Sequence, residues 1–152
     1  MGIEGIKSQK AVRLYEYWCS IKGARHMPAR ADIDPAEIKF ILPNLLLTEM
    51  EAEPFRIRYR IVGTEVVRVT RVEFTNRYLD ELASSVGDDL DLDYWMRQYR
   101  SCCEKREPIF GIGNLRYDGH WVQSFEWAIL PLSTNGIDVD MAIAVEDYES
   151  RK

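Results

Sequence analysis

At 152 residues the chain has the length of one domain and can bury a core of its own. Apolar residues make up 46% and charged residues 30%, the balance of an ordinary globular protein. Twenty Lys and Arg against twenty-five Asp and Glu leave a net charge of −5, which points away from nucleic acid and from a polybasic membrane binder.

Ser8 is placed to cap a first helix. Ala11, Val12, Tyr15, Trp18, Cys19 and Ile21 follow its apolar stripe, and Gly23 is its stop. A second, short helix is expected after Asp34 as N-cap, with Pro35 at the first position and Glu37 at capping-box spacing. It should end before Pro43. Residues 44–51 read as a buried strand. After a turn at 51–54, Phe55, Ile57, Tyr59 and Ile61 alternate with Arg56, Arg58 and Arg60, which marks a strand with one buried face.

Thr64 to Val69 suits a short helix, Thr75-Asn76-Arg77 a loop, and Tyr78 to Leu82 one helical turn. A second loop is expected at Ser84–Asp88. A longer helix opens at Asp91 or Asp93 and runs to about Lys105, with an acidic start and a basic end that suit the helix dipole. Three strands follow: Pro108–Tyr117, His120–Leu132 and Ile137–Val145. Asp118-Gly119 and Asn135-Gly136 separate them, both strong hairpin signals. The fold class expected is α+β: a five-stranded antiparallel sheet, helices segregated to one face, with 64–106 as a roof.

That order of elements is also the order of a PAS domain, and particular residues strengthen the likeness. Trp18, the run from Pro28 to Ile38, Leu42-Pro43-Asn44-Leu45, Tyr59 to Thr64 and Leu130-Pro131-Leu132 resemble a family of small, single-domain PAS-like alphaproteobacterial proteins of the PAS_5 type. The likeness spans about residues 14 to 145. That family usually carries Thr-Gly-Arg where this chain has Thr75-Asn76-Arg77, and Asn tolerates the left-handed backbone that such a turn requires. The resemblance implies a sensory or regulatory module, with a flanking helix in residues 1–27 and the PAS-like domain in residues 28–148. It supplies no ligand.

Candidate chemistry is sparse. His26 and His120 are the only histidines, and neither falls on the helical roof where haem-binding PAS domains usually place their axial ligand. The reactive-cysteine motif of flavin photosensors is absent, because Cys102-Cys103 stands in Ser-Cys-Cys-Glu-Lys. Neither haem nor flavin is therefore expected, and no metal. Three cysteines without a CxxC pair suit packed thiols in a reducing cytoplasm; a redox role would need an exposed thiolate of lowered pKa. No apolar run approaches the ~20 residues that cross a bilayer, and MGIEGIKSQK has no hydrophobic signal segment.

Glu126 stands inside a long apolar strand. It reads either as an outer-face carboxylate paired with an arginine across the sheet or as a buried acid of raised pKa, the base of a small cone-shaped isomerase-like enzyme. Arginines crowd residues 56–77 and acids residues 80–93, which suggests a self-compensating surface or a docking patch. Tyr59, Tyr78, Trp95, Phe125 and Trp127 converge from sheet and roof and are the candidate lining for a small apolar or aromatic ligand; plain core is the alternative. Val12, Tyr15, Trp18 and Cys19 are the candidate interface of a homodimer. The leading expectation is a stand-alone sensory module acting on a signalling partner; an enzyme and a purely structural interaction protein remain open.

Overall fold

The computed structural model describes residues 1–86, 91–117 and 120–149. Five strands form one antiparallel sheet: β1 (Leu45–Glu51), β2 (Arg56–Val62), β3 (Ile109–Tyr117), β4 (His120–Leu132) and β5 (Met141–Asp147). Their order is β2-β1-β5-β4-β3, so the first hairpin pairs with the last strand. The described residues form four helices, α1 (Gln9–Lys22), α2 (Thr64–Thr70), α3 (Leu79–Val86) and α4 (Leu92–Lys105). The α+β class and the five-stranded antiparallel sheet are as expected from the sequence.

The local signals act largely as read. Ser8 caps α1 by accepting from the Ala11 N–H at 3.1 Å, and Gly23 ends it at φ 58°. Asp91 caps α4 through the Tyr94 N–H at 3.0 Å. Asp34 accepts from the Ala36 N–H at 3.0 Å, but what it caps is a four-residue 3-10 turn, Pro35–Ile38, rather than an α-helix. Asn76 adopts φ 66°, so the turn expected there survives without glycine.

Two boundaries differ. The loop expected from Ser84 is helix as far as Val86. β5 begins at Met141 rather than Ile137, because Asn135 does not make a two-residue hairpin turn. Its side-chain carbonyl instead accepts from the Ile137 and Asp138 N–H groups, both at 2.8 Å, and so winds the chain into a wider loop. Asp140 closes that loop by accepting from the Thr134 N–H. The Asp118-Gly119 turn and the acids Asp88 and Asp89 lie outside the described residues.

Helices are not segregated to one face. The roof of α2, α3 and α4 covers Leu46, Ile57, Tyr59, Phe125, Trp127 and Ile129. On the outer face α1 and the segment from Met27 to Ile41 cover Leu45, Leu47, Ala128, Leu130, Leu132, Ile143 and Val145. The physical reason is visible in β4 and β5: their apolar runs continue through both parities, and a strand apolar on both faces needs cover on both.

One contact fixes how the outer cover sits. Glu126 on β4 is 0% exposed and faces α1. Its two carboxylate oxygens accept the Lys7 N–H at 2.7 Å and the Ser8 N–H at 3.1 Å. Its cross-strand partner Asp147 accepts the Ser8 hydroxyl at 2.6 Å. The start of α1, rich in unpaired N–H groups, is thereby held by two buried carboxylates from adjacent strands.

Replacing Glu126 by Gln leaves one acceptor and turns an NH2 group against the second N–H. The expected loss is about 1–3 kcal/mol in chemical denaturation, with faster amide exchange at residues 7–12. Unchanged stability would mean that the clamp does not hold α1.

Candidate functional site

The roofed face is built from alternate residues of β4 and β5. Trp127 (2% exposed) and Phe125 point from β4 toward the roof. Their cross-strand partners on β3 are Gly111 and Gly113. A Cβ added at Gly111 would stand 2.3 Å from the Trp127 ring, and one at Gly113 2.6 Å from the Phe125 ring. The two glycines therefore let the rings lie flat on β3. Trp95 of α4 stacks on Phe125 at 6.2 Å between centroids and meets Trp127 edge-on at 5.4 Å. The Trp127 indole N–H donates to the Tyr94 hydroxyl at 3.1 Å. Toward the other end, Tyr59 packs edge-on against Phe74 at 4.7 Å, with Tyr99 buried in the same cluster.

Into this apolar layer β5 places a carboxylate. Glu146 is the cross-strand partner of Trp127 and shares its face with Ala142, Ala144 and Tyr148. The Tyr148 hydroxyl donates to Glu146 Oε1 at 2.6 Å. Desolvation pushes the Glu146 carboxyl up to about 7, against the opposing effect of that hydrogen bond. Burial, with the charge of Glu146 added, raises the Tyr59 and Tyr99 hydroxyls. Glu146 nevertheless keeps some accessible surface. Ala142 and Ala144, both buried, are the small neighbours of Glu146 on the same face of β5.

Four of the five residues expected to line a pocket share this face: Tyr59, Trp95, Phe125 and Trp127. Tyr78 does not. It bridges to Arg58 outside the edge strand β2, its ring lies 3.6 Å beneath the Arg56 guanidinium, and its hydroxyl donates to the Glu51 carboxylate. It belongs to the charged surface. There Arg56 also forks onto Asp80 with two bonds of 2.8 Å, and Arg60 and Arg68 pair with Glu49 and Glu65. Much of the arginine-rich segment is thus self-compensating.

Glu126 is buried, but its partners are the backbone amides of Lys7 and Ser8, neither an arginine nor a substrate. With both oxygens engaged it anchors the start of α1. The residue that sequence reasoning passed over is Glu146, whose parity with Ala142 and Ala144 was the available signal. Cys102 is fully buried and its thiol is pushed up; Cys103 is pushed up to about 11. Neither is the low-pKa thiolate that redox sensing requires. On α1, Trp18 is 4% exposed, and its indole N–H donates to the Pro131 carbonyl at 2.8 Å. Val12, Tyr15 and Cys19 are half-buried against the same core. Of the four residues expected at a homodimer interface, Trp18 is covered by the chain's own sheet, while Val12, Tyr15 and Cys19 keep part of their surface.

The motifs noted in the sequence meet in space. A Cβ on Gly63 would stand 2.3 Å from the Pro43 carbonyl, so the two segments cross in close contact. Asn44 donates to the Glu146 carbonyl at 2.8 Å and accepts from Lys10 at 3.0 Å, joining β5 to α1.

Comparison with known proteins then decides the family. The sequence matches the PAS domain family over residues 6–87. This chain belongs to the PAS domain family. The PAS match begins just before α1 and runs through α3, so it takes in the clamped N-terminus. The fold resembles the PAS domain of BvgS from Bordetella pertussis, with a TM-score of 0.54 and 14% identity over 74% of this chain and 86% of that one. It also resembles an RNA-binding Light-Oxygen-Voltage receptor, with a TM-score of 0.50 and 17% identity over 81% of this chain. The match covers 36% of that receptor, about a third of its length. These likenesses carry the fold. No curated protein matches the sequence.

Two outcomes are expected. Gly111→Ala should drive Trp127 off β3, lose about 1–3 kcal/mol and alter the tryptophan near-ultraviolet dichroism; an unperturbed spectrum would mean the ring does not lie on the glycine. Glu146 has a folded pKa of about 7 against an ordinary 4.5, so its favourable contribution is full below 4.5 and lost as pH rises to about 7. Glu146→Gln should match wild type near the low end of that window and exceed it by about 2–3 kcal/mol above pH 7.5. A difference independent of pH would contradict the placement of Glu146.

Proposed function

We propose that this PAS domain is a sensory module that takes a small aromatic or apolar molecule between roof and sheet. A hydrogen-bond donor on that molecule would be oriented by Glu146. The carrying observation is Glu146 itself: a carboxylate without a cationic partner among the described residues, set in aromatic surroundings that penalise its charge. Buried polar groups of this kind call for an explanation, and strongly perturbed carboxyls cluster at functional sites. A ligand N–H or O–H would supply the missing partner, and the rings of Trp127, Trp95 and Tyr59 would supply apolar contact. PAS domains are in general sensory rather than catalytic, which supports this reading.

The route outward runs through the sheet. Trp127 and Glu146 are cross-strand partners on the roofed face; Glu126 and Asp147, their immediate neighbours in sequence, are cross-strand partners on the outer face. A ligand that shifts the first pair by a fraction of an ångström also strains the second, which holds α1. The output is then a change in the seating of α1, read by a signalling partner.

Native mass spectrometry of freshly purified protein tests the proposal. Wild type should retain a small molecule that Glu146→Leu loses. An unliganded mass for wild type, with no thermal shift from a library of aromatic amines, amides and alcohols, would overturn it.

A further inference from the structure

A concavity lies on the outer side of the sheet, where α1 passes the turn between α4 and β3. Its volume is about 340 Å³, within the range of small-molecule sites. Tyr15, Trp18 and Phe110 form its floor. Their rings already interlock: Tyr15 stacks with Trp18 at 6.4 Å and meets Phe110 edge-on at 5.6 Å. The rim is basic. Lys22, His26 and Arg106 line it, against a single acid, Glu107. In a chain of net charge −5 this is a local reversal of sign.

The rim cations stand on fixed backbone. Lys22 ends α1, and its ammonium rests on the carbonyls of Gly23 and Arg25 at 3.4 and 3.2 Å. Arg106 is the left-handed residue that closes α4 (φ 57°), and its N–H is bonded to the Cys102 carbonyl at 2.9 Å. Its guanidinium makes no hydrogen bond or ion pair with the described residues, and His26 makes none either. Both side chains are exposed. An aromatic floor beside the Arg106 guanidinium, with the Lys22 ammonium on the same rim, fits a flat ring bearing a negative charge. The ring covers the apolar floor, and a guanidinium fork pairs with a carboxylate through two parallel bonds.

We propose that the cleft between α1 and the α4–β3 turn binds a small aromatic carboxylate of one or two fused rings. The acid faces Arg106 and Lys22, and the ring lies against Tyr15 and Phe110. The site is independent of the roofed interior. It bridges α1 to the end of α4, so an occupant would tie the N-terminal helix to the roof's last helix.

The test is a 15N-resolved titration of the full chain with 2-naphthoate, with 2-naphthalenemethanol as the uncharged ligand of the same ring. Naphthoate should shift the amides of Lys22, Gly23, His26, Arg106 and Phe110, with a Kd in the range of about 0.1–1 mM expected of a small fragment. The alcohol should bind about three- to tenfold more weakly, and Lys22→Gln/Arg106→Gln, which alters only rim side chains, should weaken naphthoate by a similar factor. Equal binding of acid and alcohol, or binding unaffected by the double substitution, would overturn the proposal. So would shifts confined to Trp95, Trp127 and Tyr148, which would put the ligand in the roofed interior. Tighter capture of an acidic peptide than of naphthoate would also overturn it, since the cleft would then serve a protein partner.

Discussion

A carboxylate that water does not reach accepts two backbone N–H groups, and the outer half of the molecule is arranged around it. Glu126 is costly to bury unless its oxygens are bonded, and among the described residues its donors are the amides of Lys7 and Ser8. That requirement sets where α1 begins. With Ser8 held by Glu126 and Asp147, the helix runs so that Leu14 and Trp18 fall on the sheet, and the Trp18 indole reaches the Pro131 carbonyl. Asn44 and Lys10 add a second tie between α1 and β5. The helix is therefore joined to the PAS sheet by a shared core and by directional bonds at both ends of its buried face.

The same two strands carry the opposite arrangement on the roofed face. There, one step along each strand, Glu146 sits among Trp127, Tyr59, Tyr99 and Tyr148 with a single hydroxyl donor. One face satisfies its acids; the other leaves an acid incompletely satisfied. A structural pair is expected to be fully bonded, because a half-satisfied polar group in low dielectric costs more than an apolar residue of the same size. The asymmetry is why Glu146, and not Glu126, is the acid to which the proposed ligand would donate. Gly111 and Gly113 contribute by letting Trp127 and Phe125 lie on β3, which keeps bulk out of the centre of the face.

Much of this was legible in the residues. Alternation of arginine with Ile57 and Tyr59 predicts β2 and its buried face, and the caps at Ser8, Gly23 and Asp91 act where they stand. Asn76 takes the left-handed turn because its short side chain tolerates it. What escaped was long-range. The burial of Glu126 was foreseen as one possibility, but no local pattern says that its partners lie 118 and 119 residues away. Glu146 is not legible as a buried acid, because an acid near a strand end reads as solvated; only its parity with Ala142 and Ala144 places it on the roofed face. Tyr78 was misplaced because helical position alone does not reveal that its neighbours are Arg56 and Glu51. As a sequence, the stripe of α1 suits either its own sheet or a second subunit, and the apolar outer faces of β4 and β5 take up Leu14 and Trp18 of it.

The measurement closest to the central claim is a 13C titration of the Glu146 carboxyl in the full chain, with the Lys7 and Ser8 amides followed in the same samples. The account predicts a midpoint near 7, with the two amides shifting at that same midpoint as ionisation on one face reaches the clamp on the other. A midpoint near the ordinary 4.5, or amides that stay still while Glu146 titrates, would contradict it.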